Sequence, residues 1–213
     1  KKGMIAAVAM IAAFIAVMPT AVTANAVSAA EIQEETEELR KDSTDGVYNH
    51  LKYTINNNNT ITITGMDNAN DDTDVELVIP AEIDGRKVTG IGDNAFSECV
   101  NIKSIVLNAG LVEIGDYAFA GTSISEIDVP TTVTRIGRYA FAATPITRLT
   151  IDEGSIGIKL DGYAFRNCKN LRKIQLNRVT AIGVGCFENN QSLKEVTLPQ
   201  GLKTIPNYAF AWD

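Results

Sequence analysis

Six phenylalanines, Phe96, Phe119, Phe141, Phe165, Phe187 and Phe210, recur at intervals of 23, 22, 24, 22 and 23 residues. Each follows Ala or, once, Cys186, and each closes a similar stretch. The first three are Ile91-Gly92-Asp93-Asn94-Ala95-Phe96, Ile114-Gly115-Asp116-Tyr117-Ala118-Phe119 and Ile136-Gly137-Arg138-Tyr139-Ala140-Phe141. The others are Leu160-Asp161-Gly162-Tyr163-Ala164-Phe165, Ile182-Gly183-Val184-Gly185-Cys186-Phe187 and Ile205-Pro206-Asn207-Tyr208-Ala209-Phe210. A fixed period of this length marks a repeat protein, because one such unit cannot bury its own apolar side and must stack on its neighbours. The repetition also disposes of a rival reading. Gly90-Ile91-Gly92-Asp93-Asn94-Ala95 fits the G-x-G-x-x-G/A turn that holds a dinucleotide, but that site needs one copy, set between a strand and a long helix. Six copies exclude it, and the first glycine is Arg135 or Thr204 in other units.

The other half of each unit has the pattern of a strand. Ile102-x-x-Ile105-x-Leu107 returns as Ile124-x-x-Ile127-x-Val129, Ile146-x-x-Leu149-x-Ile151, Leu171-x-x-Ile174-x-Leu176 and Leu193-x-x-Val196-x-Leu198. Its last two apolar positions are two apart and so share one face of a strand. Pro130 and Pro199 end two of these strands, and Pro80 ends an incomplete first one, Leu77-Val78-Ile79-Pro80. The expected fold is a repeat solenoid in the leucine-rich-repeat range of periods, α/β horseshoe-like and β-rich. Each 22–24-residue unit should contribute one short parallel strand and a short helical turn. Ahead of the repeats, Tyr48-x-x-Leu51-x-Tyr53-x-Ile55, the turn Asn56 to Asn59 and Ile61-x-Ile63 read as a β-hairpin. Residues 47–74 are therefore expected to form an N-terminal β-hairpin cap that shields the first unit from water.

The full pattern, I-x-x-I-x-L-P…V-x-x-I-G-x-x-A-F-x-x-C, resembles the BspA-like leucine-rich-repeat family of bacterial surface and secreted proteins, over residues 75–213. Asn108, Asp152 and Asn177 stand where the strand-ending proline is expected, and Leu160-Asp161 replaces Ile-Gly in the fourth unit. The resemblance implies an exported protein, often displayed on the cell surface and associated with adhesion to host matrix proteins or other cells. It implies neither catalysis nor a cofactor.

Residues 1–29 read as a secretory signal peptide. Lys1 and Lys2 give a positive start, Met4 to Met18 is an uninterrupted apolar run, and Ala24-Asn25-Ala26 and Val27-Ser28-Ala29 offer cleavage sites. The apolar run falls short of the roughly 20 residues that span a bilayer. Residues 30–46, with the run Glu31 to Glu38, read as an acidic linker with too few apolar side chains to repay ordering. The formal net charge of −7 arises ahead of the repeats, since residues 88–213 carry 12 acids and 12 bases. No basic patch of the kind that neutralises phosphates stands out, so nucleic acid is not an expected partner. Nothing polar closes the stack after Phe210, and the repeats are expected to be truncated at Asp213.

Several features attract chemical readings and lose them. Cys99 and Cys168 sit three residues after their Phe in the first and fourth units, about 14 Å apart at ~4.8 Å per stacked strand, too far for a disulfide. With Cys186 they are expected as buried thiols. His50 is the only histidine, which rules out His-rich metal sites, and a nucleophilic triad is not expected because no G-x-S-x-G accompanies it. The run Asp67 to Asp74 is rich in oxygen ligands but departs from the calcium-loop pattern and reads as a polar loop. No metal or small-molecule cofactor is expected, and no acid, base and nucleophile converge, so the chain is not read as an enzyme.

The residues left for function are those pointing away from the core. Beside the buried strand positions stand Ser104, Glu126, Arg148, Lys173 and Glu195 on one side, and Val106, Asp128, Thr150, Gln175 and Thr197 on the other. This mixed polar face suits a protein partner. Ser104, Glu126, Asp128, Arg148, Lys173, Gln175 and Glu195 are the candidate contact residues. A second candidate is the stripe Tyr117, Tyr139, Tyr163 and Tyr208, two residues before the Phe, since Tyr is enriched in binding surfaces. The expected function is an exported binding module for a protein partner, host extracellular matrix or another cell surface included. Its alternative is a structural spacer that projects another domain of a larger envelope protein. The leader reading makes a direct prediction: mass spectrometry of exported protein should give an N-terminus near residues 27–30, and an intact Lys1 start would refute it.

Overall fold

Each coil of the stack but the last is built from two short strands and a block of turns; the last has only the first of the two strands. The structure is a computed structural model that describes residues 44–67, 74–151, 154 and 156–212. The expected leader, nearly all of the acidic linker and residues 68–73 of the acidic loop lie outside the described residues. All but one of the described residues belong to the compact unit Asp45–Asp213.

The chain opens with two antiparallel hairpins. β1 (Asp45–Tyr48) pairs with β2 (Leu51–Ile55), and β2 pairs with β3 (Ile61–Met66). The sequence reading ran Tyr48 to Ile55 together as one arm. The structure splits it at Asn49 and His50, both at positive φ (45° and 66°), the geometry of a two-residue hairpin turn. Two rows of strands follow. The first row is β4 (Val75–Val78), β7 (Ile102–Val106), β9 (Glu126–Val129), β11 (Arg148–Ile151), β13 (Lys173–Gln175) and β15 (Glu195–Thr197). The second row is β6 (Arg86–Ile91), β8 (Glu113–Ile114), β10 (Arg135–Ile136), β12 (Ile158–Leu160) and β14 (Val179–Ile182), with β5 (Glu82–Ile83) antiparallel to β6. The second row joins the hairpins in one nine-stranded sheet, because β3 pairs in parallel with β6. The first row pairs as β4–β7, β9–β11 and β13–β15, all parallel.

Two expectations need correction. In the first five units the strands number two rather than one, because Ile114, Ile136 and Leu160, read as the start of the turn motif, lie on strands of their own. The expected helical turn is absent: no residue among those described is helical. The reason lies in the backbone. In every unit the residues two before and two after the Phe have positive φ, as at Tyr117 (57°) with Gly121 (70°) and Tyr139 (55°) with Ala143 (57°). Left-handed residues at this spacing interrupt a right-handed helix and produce consecutive β-turns instead. In the first unit these close through Ala95 N to Gly92 O, Ser97 N to Asn94 O and Cys99 N to Phe96 O.

The turn amides not used in closing a turn bond to the next coil. Asn94, Phe96 and Glu98 donate to the carbonyls of Asp116, Ala118 and Ala120, and the same three-rung ladder repeats from coil to coil up to Asn189 and Ala211. The phenylalanines stack inside this ladder with centroids 5.2–5.4 Å apart and planes within 13°. The first five are completely buried, and Phe210 is half-buried. Three residues beyond Phe119, Phe141 and Phe187, the side chains of Thr122, Thr144 and Asn190 donate to the Phe carbonyl from inside the core. Removing one ring from the middle of this column leaves a void its neighbours cannot close. Phe141→Ala is expected to lose about 3–5 kcal/mol of stability in chemical denaturation; a loss below about 1 kcal/mol would contradict the column's role.

Candidate functional site

Alternation along β9, β11 and β13 sends one set of side chains inward and the other outward, whereas in β15 all three residues are exposed, the expected inward Val196 included. Ile127 and Val129, Leu149 and Ile151, and Ile174 are buried, while Glu126, Asp128, Arg148, Lys173 and Gln175 are exposed. The structure thus places all seven candidate contact residues, Ser104 and Glu195 among them, on the outer side of one row of strands. Thr150, in the second outward file, is half-buried.

Register brings these side chains together in pairs. Glu126 lies opposite Arg148 and Lys173 opposite Glu195. The Arg148 guanidinium donates to Glu126 at 2.7 Å and to Asp128 at 2.7 Å, and Lys173 Nζ stands 2.8 Å from Glu195. The Thr150 hydroxyl and the Arg148 guanidinium hold the Asp128 carboxyl below its ordinary value, and Lys173 does the same for Glu195. Pairs this exposed contribute little to stability, so they order the surface more than they stabilise the fold. Arg148 and Lys173 are cations of this outward face, and register shows each already neutralised by carboxylates of a neighbouring strand. Sequence reasoning missed Arg172, exposed beside them and joined to no carboxylate among the described residues. Its signal was present in the Leu171-Arg172-Lys173 run, but only the packing of coils shows which side chains face it.

The tyrosine stripe has a different character. Tyr117, Tyr139 and Tyr163 stack with centroids 4.8 Å apart and planes within 14°. The Arg166 guanidinium lies 5.6 Å from the Tyr163 ring centroid and pairs with Glu188 of the next coil. In that coil the position is Gly185, and a Cβ there would strike the Tyr163 ring. Tyr208 therefore stands outside the three-ring stack and is strongly exposed. Each of these tyrosines holds a left-handed backbone (φ 55–63°), which costs a bulky side chain about 1–3 kcal/mol. Ring stacking, worth about 0.5–1.5 kcal/mol per pair, offsets much of that. The ring faces of the three are spent on one another, leaving mainly edges and hydroxyls for solvent.

A second polar cluster sits on the other row. Arg135 bridges three coils, contacting Glu113 at 2.6 Å, Asp116 at 2.8 Å and Asp161 at 2.7 Å. Its span and partial burial make it a clamp between coils. Among the described residues no group of three or more His, Cys, Asp or Glu side chains is placed to hold a metal ion.

The three cysteines are buried and unpaired, as the spacing required. Burial pushes the Cys168 thiol up to about 11, and it pushes Cys186 higher still, each from an ordinary value of 9.0. Because the folded state favours the neutral thiol, its contribution is present below about pH 9 and is lost as pH rises through 9 toward 11. The urea midpoint is therefore expected to fall across that interval, and a thiol reagent at pH 8 to label neither Cys168 nor Cys186 until denaturant is added. Rapid labelling of native protein would contradict their burial.

Parallel strands stacked by a constant turn block, with a variable polar face on one row, define a leucine-rich-repeat protein of the β-rich type. The family model described as "BspA type Leucine rich repeat region" matches residues 88–213 in six copies, and the chain belongs to that family. No curated protein sequence matches the chain. Among solved structures it is similar to a leucine-rich cell surface protein from Faecalibacterium prausnitzii (27% identity, TM-score 0.59, covering 80% of this chain and 47% of that one). A leucine-rich repeat protein from Bacteroides ovatus (24%, TM-score 0.60, 76% and 43%) and the pneumococcal vaccine antigen PcpA (22%, TM-score 0.57, 75% and 51%) share the fold. The chain thus spans about half the length of these relatives.

Proposed function

We propose that this protein is an exported, non-enzymatic binding module whose first-row strand face contacts a protein partner at the bacterial cell surface, in adhesion to host extracellular matrix or to another cell. The observation that carries the reading is the division of labour within each coil. The turn block repeats almost unchanged, while the outward strand positions vary in charge from Ser104 through Glu126, Arg148 and Lys173 to Glu195. A rigid scaffold with a variable face is the arrangement repeat proteins use for recognition. Export is supported by the leader-like residues 1–29 and by the cell-surface relative from Faecalibacterium prausnitzii. The hairpins β1–β3 would serve as the N-terminal cap, a role consistent with the complete burial of Ile61 and Ile63 against the first coil.

The test is attachment of purified protein to host matrix proteins and cells. Replacing Arg148 and Lys173 together by Glu should abolish attachment, because it places like charges beside Glu126, Asp128 and Glu195 and reverses the contact surface. The melting temperature should hardly move, since these side chains lie outside the core. Replacing Tyr117, Tyr139 and Tyr163 by Ser probes the stripe in the same assay. Attachment that survives the charge reversal and fails with the tyrosine variant assigns the contact to the stripe instead. If both variants attach normally, the strand face is not the binding surface and the spacer reading takes its place.

A further inference from the structure

We propose that the cleft between β11 and β13 receives an acidic segment of the partner, with Arg172 as the residue that grips its carboxylate. This rests on the reading of the strand face as a protein contact and names the chemistry of what it contacts. The first row of strands is interrupted here. β11 pairs with β9 and β13 pairs with β15, and no backbone hydrogen bond crosses from Arg148–Ile151 to Lys173–Gln175. The interruption falls in the longest unit, the 24 residues from Phe141 to Phe165. It leaves a cleft of about 530 Å³ with the buried Leu149 and Ile151 in its lining. Its polar walls are Arg148, Thr150, Arg172, Lys173, Gln175 and Asn177.

Among the described residues the charge of this lining is one-sided, three cations and no carboxylate. The carboxylates that neutralise two of them belong to strands farther out, Glu126 and Asp128 on β9 for Arg148, and Glu195 on β15 for Lys173. Arg172, exposed on the rim, has no such partner among the described residues. A guanidinium offers a carboxylate two parallel hydrogen bonds, stronger and more directional than an ammonium contact. Thr150, Gln175 and Asn177 add neutral groups that can bind the flanking peptide. The other interruption in the row, between β7 and β9, carries the carboxylates Glu126 and Asp128 and has the wrong sign for the same ligand. Residues 88–213 carry equal numbers of acids and bases, so an attraction at this cleft is local and not a product of overall charge.

The full chain would be titrated with end-blocked hexaglutamate by calorimetry, at low salt and at about 0.15 M salt, where screening reaches ~8 Å. Binding is expected at low salt and should weaken as salt rises. Arg172→Glu should weaken it tenfold or more, Arg172→Lys less, and Lys87→Glu, an exposed charge reversal on the other row of strands, not at all. Hexaglutamate that fails to bind, or binds Arg172→Glu as well as the native protein, overturns the proposal. So does binding of a sulfated polysaccharide by a chain that ignores hexaglutamate. The attachment assay separates this idea from the reading beneath it. Partner attachment lost with the Arg148 and Lys173 reversal but kept by Arg172→Glu sinks the cleft and leaves the strand face standing. Arg172-dependent hexaglutamate binding by a protein whose attachment ignores the Arg148 and Lys173 reversal supports the cleft chemistry and sinks the strand-face reading.

Discussion

The structure depends on a ladder of backbone hydrogen bonds between turns. In each coil two left-handed residues flank the Phe, and between them the amides of Tyr117, Phe119 and Gly121, or their equivalents, bond to the carbonyls of the next coil. This fixes the coils one strand-spacing apart and sets each Phe ring 5.2–5.4 Å over the last. The ring stack then expels water from the ladder, and a buried ladder is worth more than an exposed one. The backbone strain of the left-handed positions is met where it arises. Gly121, Gly185 and the asparagines take those positions at low cost, and the tyrosines recover theirs by stacking.

Because the turn block carries the stability, the strand faces are free to vary. Replacing Asp128 or Gln175 changes no core contact, whereas Gly115 and Gly137 admit no larger residue, since a Cβ at either would collide with the backbone of the preceding coil. The rigid and the variable parts of each unit are thus separated in space, turns at one side and outward strand residues at another. A partner surface can diverge without disturbing the stack. Where a strand-ending proline is missing, a side chain replaces it locally: Asn108 donates to the carbonyls of Pro80 and Val88 and accepts from the amide of Gly110.

Buried polar groups follow the same logic of binding coil to coil. Arg178 is almost fully buried and reaches back across the stack to the carbonyls of Val133 and Pro130, 45 and 48 residues earlier in the chain. Arg135 spans three coils through carboxylates. These contacts join units that the backbone ladder connects only to immediate neighbours, and they resist shear between coils.

By itself the sequence determined the period, the stacked phenylalanine column, the parallel strands with their inward and outward files, and the buried state of the cysteines. Those properties follow from side-chain identity at fixed spacing, and a repeat that must stack leaves few other solutions. The tertiary structure decided the rest. Whether Ile-Gly-x-x-Ala-Phe coils as a helix or as successive turns depends on the left-handed conformations at Tyr117, Tyr139 and Tyr163, which tyrosine does not favour locally and only the inter-coil bonds impose. The second strand in each unit, sometimes two residues long, exists only because a neighbouring coil pairs with it. The candidate site divided along the same line. Its residues could be named from the outward pattern, but the neutralisation of Arg148 by Glu126 and Asp128 arises from register between coils. Register is a relation between separate units, and no single unit's sequence contains it.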